Sequence, residues 1–123
     1  MVKKTDFPVV ISEMPECQET FIIELPFSVT EDWKNRLMDG HIPENMEDKW
    51  FLYSEDNLLY ICRSWTGYCM YKVHFLEGNR IMVTANRDPR QYIINYIINN
   101  GIKSEYQIYD KTILPYILAM YSR

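Results

Sequence analysis

The sequence predicts an α+β fold in which an antiparallel meander sheet of four to five strands is covered by helices. Three observations predict it: short β-branched or aromatic runs recur through residues 20–85, two of these runs alternate apolar and polar side chains, and a strongly apolar segment with helix signals at both ends follows them. The 123 residues have the length of one ordinary domain. We therefore expect a single domain over residues 1–123, with residues 1–19 as an extended lead-in.

A strand and a short helix follow the lead-in. Residues 1–19 show little periodicity and allow at most an edge strand at 9–12. The run 20–25 is β-branched and aromatic and stops at a proline, which predicts the first firm strand. Ser28 stands three residues before Glu31, which is capping-box spacing, and Gly40 supplies a stop signal. We expect a helix between these two signals.

The central strands are predicted from turn signals and alternation. Residues 50–53 and 58–63 are strand-like and are separated by 54–57, whose polar side chains favour a turn, so we expect a hairpin. In 68–76, one predicted face carries Cys69, Tyr71, Val73 and Phe75, and the other carries Met70, Lys72 and His74.

The next hairpin is predicted from parity. Pairing Phe75 with Ile81 and Val73 with Val83 places the apolar residues of both strands on one face. That register leaves a three-residue loop at 77–79. Its Gly78 or Asn79 would take the positive φ.

Two helices are expected at the end of the chain. Asp88 is a cap candidate for the first, with Gln91 at the capping-box position and Gly101 just past its end. Residues 92–98 leave almost no polar face, so this helix would be enclosed between the sheet and a second layer. Residues 113–122 would form that layer, with Thr112 as cap and Pro115 in the first turn.

Charge limits the classes of partner. The net charge is −4, but residues 1–56 carry −8 and residues 57–123 carry +4. An acidic chain does not attract nucleic acid in general, which disfavours binding to double-stranded nucleic acid. The second half is the better place for an anionic ligand, although pairing of the two halves across the folded surface explains the same imbalance.

Cysteine usage and apolar run lengths indicate a cytoplasmic protein. Three cysteines without a CxxC pair predict free thiols, in a hairpin register that places Cys62 opposite Met70 rather than opposite Cys69. The apolar runs fall far short of the roughly 20 residues that cross a bilayer, so we expect no membrane partner. His41 and His74 have no ligand-type neighbours at metal-binding spacing, and we assign neither a metal nor a cofactor.

Catalytic signatures are mostly missing. The chain has no nucleophile elbow, no phosphate loop and no HExxH helix. Cys62 and His74 lie on neighbouring predicted strands, so a cysteine-histidine pair is conceivable, but a buried cysteine is more commonly a small apolar residue. A loop carboxylate is an alternative base, but nothing raises the pKa of a particular one among Glu47, Asp48, Glu55 and Asp56.

The segment Arg63-Ser64-Trp65-Thr66-Gly67 is the most unusual part of the sequence. Ser64 and Gly67 fit a type I turn closed by a left-handed glycine. A tryptophan at a turn tip either folds back over the core or forms a binding platform, and the core is the commoner outcome. Arg63 offers a planar donor fork for a phosphate or carboxylate. Alternatively, Arg63 forms an ion pair within the protein, with Glu47, Asp48 or Asp56.

Three segments also carry a resemblance: MEDKWF at 46–51, LY at 59–60 and RSWTG at 63–67. Together they resemble the central pattern of a family of small uncharacterised prokaryotic domains that occur alone or attached to other domains. The family implies no established activity. Relatives that adjoin ADP-ribose-processing domains imply a nucleotide-like ligand.

Our main functional hypothesis is a non-catalytic binding module. Arg63, Trp65 and Trp50 would line a pocket for a phosphate-bearing, nucleotide-like small molecule or an acidic peptide, with Lys72 or Arg80 assisting.

Two alternatives remain open. The chain is a small nucleotide-directed hydrolase or transferase if Arg63 stabilises charge and His74 or a loop carboxylate transfers a proton. It is a structural or protein-interaction subunit if the apolar segment 92–98 is exposed as an interface for a protein partner.

Overall fold

The computed structural model describes residues 1–91 and 103–122, which form a five-stranded sheet and two helices. The strands lie in the order β1-β5-β4-β3-β2, and every neighbouring pair is antiparallel. The predicted α+β class is therefore confirmed. The elements in chain order are β1 Gln18–Glu24, α1 Glu31–Met38, β2 Trp50–Glu55, β3 Leu58–Arg63, β4 Cys69–Phe75, β5 Arg80–Asn86 and α2 Lys103–Tyr121.

One face of the sheet, the helix face, carries the main core. Side chains from all five strands meet Leu37 of α1 and Leu114 of α2 there, and both leucines are fully buried. Burying such a side chain contributes roughly 1.5–3 kcal/mol, so this face supplies most of the driving force for folding. The strand residues of this core are Ile23, Trp50, Leu52, Leu59, Ile61, Met70, Tyr71, Val73, Ile81, Val83 and Ala85.

The opposite face of the sheet, the second face, is covered in part by the lead-in. Met14 is buried there with Phe51 and Cys62, and the ring of Phe7 stacks on Phe51 at 5.4 Å. Within 9–12 the structure shows one isolated parallel bridge, from Ser12 to Tyr68, instead of an edge strand. The lead-in is therefore a cover for the sheet.

The sequence predicts the loop of the β4–β5 hairpin correctly and the loop of the β2–β3 hairpin only in part. Phe75 pairs with Ile81 and Gly78 has φ +67°, which confirms the 77–79 loop. The loop between β2 and β3 is shorter than the predicted 54–57. Strand pairing continues through residue 55, and Asp56 and Asn57, at φ +54° and +64°, make a two-residue turn that their short polar side chains tolerate.

The hairpin of β3 and β4 contains an irregularity that the alternation did not predict. Ile61 pairs with Tyr71, but Cys62 pairs with Cys69, so Met70 is the extra residue of a bulge. The predicted pairing of Cys62 with Met70 is wrong. Met70 and Tyr71 both join the core of the helix face, whereas Cys69 lies on the second face, which reverses the predicted faces of Met70 and Cys69. All three cysteines are free thiols.

Both described helices begin elsewhere than predicted. The cap of α1 is Thr30 rather than Ser28, because the Thr30 hydroxyl accepts a hydrogen bond of 3.1 Å from the Trp33 N–H. Thr112 is not a cap either, since α2 runs through it and through Pro115. Packing of apolar side chains on both sides of the proline outweighs its lost hydrogen bond. The predicted helix around 92–98 lies outside the described residues.

A buried ionic network joins α2 to the sheet. The Arg87 guanidinium contacts Glu19 at 2.9 Å and Asp110 at 2.5 Å, and the Tyr71 hydroxyl donates to Asp110 at 2.7 Å. Asp110 is fully buried. Losing one member of such a pair leaves an uncompensated buried charge, so these side chains fix the position of α2. Within the described ranges, no helix is long and apolar enough to cross a membrane.

Candidate functional site

The loop between β3 and β4 is a closed turn, but its closing hydrogen bond spans one residue more than the predicted type I turn from Ser64 to Gly67. The Gly67 N–H donates to the Arg63 carbonyl, and the Arg63 N–H donates to the Tyr68 carbonyl, both at 2.9 Å. Gly67 has φ +74°, which confirms the left-handed glycine. The lead-in imposes a second requirement, because a Cβ at this position would lie 2.0 Å from the Val10 carbonyl oxygen.

Trp65 stands out from this turn. Its side chain is 67% exposed, and the indole N–H donates to the Met46 carbonyl at 2.9 Å. The expectation that it folds back over the core is therefore wrong. Ser64 fixes the same neighbourhood, since its hydroxyl donates to the Asp48 carbonyl and its N–H to the Lys49 carbonyl, both at 2.9 Å. The turn and the 42–49 loop thus form one hydrogen-bonded unit.

The Arg63 guanidinium lies over the ring of the buried Trp50. Its guanidinium carbon is 4.5 Å from the ring centroid of Trp50, which is the residue paired with it across β2 and β3. In the described part of the chain it forms no ion pair, so the predicted alternative of a pair with Glu47, Asp48 or Asp56 is not what the structure contains. The face of the Trp50 ring stabilises the positive charge of Arg63 through a cation–π interaction.

These side chains surround a cleft of about 370 Å³, which we name the Arg63 cleft. Its volume is at the lower end of the range of small-ligand pockets, roughly 300–1,000 Å³. The wall combines two cations, two aromatic rings, a hydroxyl and an amide. No carboxylate or imidazole from residues 1–91 or 103–122 belongs to it. The lining residues are Lys49, Arg63, Trp65, Thr66, Tyr68 and Gln91.

The other predicted site residues lie elsewhere. Trp50 is under Arg63 and is only 8% exposed. Lys72 is on the second face, with its ammonium 6.0 Å from the ring centroid of Tyr60. Arg80 is at the opposite end of the sheet. The structure thus brings Arg63 and Trp65 together and leaves Lys72 and Arg80 apart from them.

Four members of the cleft were missed by the sequence reasoning: Lys49, Thr66, Tyr68 and Gln91. A signal existed for Lys49. The hairpin pairs Trp50 with Arg63, and the residue before Trp50 must then lie beside the residue after Arg63. Gln91 comes from a distant part of the sequence, and no local pattern indicates it.

The cysteine-histidine pair that strand adjacency made conceivable is not formed. Cys62 is buried and lies opposite Cys69 in the strand register, whereas His74 is exposed and lies opposite Met82. The hydrogen bond with Cys69 and burial raise the pKa of the Cys62 thiol far above its usual value. A raised pKa favours the protonated thiol and so disfavours Cys62 as a nucleophile. Among the described residues, no three histidine, cysteine or acidic side chains converge as a metal site.

A polar cluster that the sequence did not indicate supports the 42–49 loop from behind. His41 Nε2 lies 2.5 Å from Asp48 Oδ2, and the Tyr121 hydroxyl donates to Asp48 Oδ1 at 2.6 Å. Burial disfavours the charge on Asp48, but the hydrogen bonds from Tyr121 and His41 outweigh it and hold the pKa of Asp48 below its usual value. The cluster ties the loop to the last turn of α2.

Comparison with known proteins finds no match to this chain among protein-family models, curated proteins or solved structures. The resemblance carried by residues 46–51 and 63–67 remains a prediction. The geometry of the cleft is therefore the basis for a functional proposal.

Proposed function

We propose that this protein is a non-catalytic binding module that holds a phosphate-bearing, nucleotide-like small molecule in the Arg63 cleft. One observation carries the proposal: Arg63 and Lys49, which form no ion pairs in the described chain, line the same cleft as the exposed Trp65. Two cations beside a free aromatic ring suit a ligand that carries an anion and a planar base.

Arg63 would bind the phosphate. Stacking on Trp50 restricts the guanidinium before any ligand arrives, so less side-chain entropy is lost on binding. A guanidinium held by one face keeps its N–H edge for paired hydrogen bonds to phosphate oxygens. Lys49 would add a second positive charge from the other strand of the hairpin.

Trp65 and its neighbours would hold the base. The hydrogen bond from Trp65 to the Met46 carbonyl fixes the indole plane while most of the ring stays in contact with solvent. Stacking of a base on such a ring is worth roughly 1–3 kcal/mol. The Gln91 side-chain oxygen accepts from Asn86, which orients the amide and directs its NH₂ as the donor for a base edge.

The cleft favours binding over catalysis. Its described wall has no carboxylate or imidazole to act as a base, and His74, one of the proton-transfer candidates of the hydrolase or transferase alternative, lies on the second face. A compact cleft suits a small molecule better than an acidic peptide, which needs an extended contact surface. We place the function in the cytoplasm, where free thiols stay reduced.

The experiment is a thermal-shift titration with ADP, adenosine and inorganic phosphate. ADP should raise the melting temperature most, because it alone carries both groups, and at 100 times its Kd it would add about 2.7 kcal/mol. Arg63→Ala should abolish the shift and change the unliganded protein by less than about 1 kcal/mol. Arg80→Ala removes the same charge at the far end of the sheet and should keep the shift.

Two results would overturn the proposal. One is a wild-type protein whose melting temperature responds to none of the three compounds at millimolar concentration. The other is an equal loss of the ADP shift in Arg63→Ala and Arg80→Ala, since this would make the effect a matter of total charge.

A further inference from the structure

Trp65 also forms a wall of a second cleft, which we name the Glu44 cleft. It has a volume of about 320 Å³ and is lined by Phe7, Pro43, Glu44, Asn45, Met46, Ser64 and Trp65. Met46 is 74% exposed and Trp65 is 67% exposed, so two large apolar side chains face solvent side by side. Contiguous exposed apolar surface of this kind is typical of interaction sites.

The Glu44 cleft has the opposite charge to the Arg63 cleft. Residues 37–48 contain four acids and no lysine or arginine. Asp48 is engaged by His41 and Tyr121, whereas the Glu44 and Glu47 side chains are exposed and form no ion pair with the described residues. One carboxylate, that of Glu44, thus lines an apolar cleft with an aromatic wall, and the exposed Glu47 follows three residues later in the same loop.

We infer that this cleft docks a basic segment of a partner protein, with one arginine or lysine side chain inserted. The aliphatic stem of such a side chain would pack on Met46 and Pro43, as long cationic side chains do on apolar surfaces. Its charged end would meet the Glu44 carboxylate and the face of the Trp65 indole, which attracts cations. Anionic lipids and nucleic acids are repelled by the same carboxylates.

The cleft is preorganised by hydrogen bonds within its own loop. The Asn45 side-chain oxygen accepts from the N–H groups of Glu47 and Asp48, and the Glu44 N–H donates to the Asp48 carboxylate at 3.2 Å. The Trp65 N–H holds the opposite wall through the Met46 carbonyl. A partner therefore meets a surface that needs little ordering on binding.

The docking inference is independent of the proposed function. Arg63 and Lys49 line the cleft proposed for an anion, whereas Glu44 lines the cleft proposed for a cation, and among the described residues Trp65 is the one that lines both. Substitutions of the charged residues therefore test the two proposals separately.

The test is fluorescence anisotropy with a labelled Gly-Arg-Leu-Arg-Gly peptide and a twin peptide that has glutamate in place of arginine. The arginine peptide should bind and the glutamate peptide should not. The double variant Glu44→Gln/Glu47→Gln should bind the arginine peptide about tenfold more weakly or worse. The matched double variant Glu24→Gln/Glu77→Gln removes the same charge from exposed positions at the other end of the sheet and should bind as the wild type does.

Met46→Ser should also weaken binding, since it removes apolar surface without changing charge. Arg63→Ala should leave peptide binding intact. The inference is overturned if the wild type does not bind the arginine peptide, if the glutamate peptide binds equally, or if both double variants lose affinity to the same extent. A failure here with a retained ADP shift would leave the Arg63 cleft untouched.

Discussion

Replacing Gly67 by alanine tests how the lead-in depends on the β3–β4 loop. Gly67 and Gly78 have nearly the same backbone conformation, with φ +74° and +67°. Alanine in this region costs about 1–2 kcal/mol at either position. A Cβ at Gly78 meets nothing within 4 Å, whereas at Gly67 it would lie 2.0 Å from the Val10 carbonyl oxygen. Gly78→Ala is therefore a matched control in which only the strain is present.

The difference between the two variants follows from that contact. Non-bonded atoms prefer separations of about 3.5–4.0 Å, so the lead-in must retreat by about 1.5 Å. The retreat breaks the hydrogen bond of 3.0 Å from the Ser12 N–H to the Gly67 carbonyl, with a net cost of about 1 kcal/mol. It also loosens the buried Met14, which we expect to lose about 1–2 of the roughly 1.5–3 kcal/mol that burial of its side chain contributes. We expect a total loss of about 3–5 kcal/mol for Gly67→Ala.

Urea denaturation measures both variants, and limited proteolysis of residues 1–14 reports whether the lead-in has loosened. Gly67→Ala should lose about 2–3 kcal/mol more than Gly78→Ala and be cleaved faster in the lead-in. Equal free energies of unfolding for the two variants would refute the reasoning, because strain alone would then account for both.

Three further outcomes are expected. Thr30→Ala should destabilise the protein by about 1 kcal/mol and Ser28→Ala by far less, because Thr30 provides the cap of α1; equal denaturation midpoints would contradict this. Asp48→Asn should cost about 1–2 kcal/mol at pH 7. Since the fold lowers the pKa of Asp48, its stabilisation is present above the unfolded value of about 3.9 and is lost as the pH falls through the lower folded value, so the gap to the wild type should shrink as the pH falls below about 4; a gap that stays constant or widens over that range would contradict it. A thiol reagent should react quickly with the exposed Cys17 of the native protein and with all three cysteines after unfolding without reductant, and fewer than three would show a disulfide.

Features encoded within a few residues were predictable from the sequence. The 77–79 loop follows from parity alone, because only an even sum of residue numbers brings Phe75 and Ile81 to the same face. The positive φ of Gly67 was predictable because the sequence places a glycine at the end of a predicted type I turn. The caps were not predictable in this way, since Ser28 and Thr30 are both suitable and the fold of the chain before α1 decides between them.

The composition of the site was only partly predictable, because it depends on the face and the end of the sheet that each residue occupies. Tyr71 faces the core with Ile61, so Lys72 faces away from it, and the same alternation puts Arg63 on the core side. The alternation of side chains along the strands therefore already placed Lys72 and Arg63 on opposite faces of the sheet. The bulge at Met70 was not predictable, since one unpaired residue reverses the faces beyond it without a mark in the alternation.

The position of Trp65 as a common wall has a thermodynamic consequence. A phosphate bound at Arg63 and an arginine side chain bound at Glu44 would carry opposite charges in two clefts that share Trp65, and opposite charges attract. Each ligand would then raise the affinity for the other by the same factor, because linkage between two binding equilibria is reciprocal. The module would respond more strongly when a small anion and a basic partner are both bound than when only one of them is bound. Added salt would weaken this cooperativity at a lower concentration than it would weaken stacking on the ring.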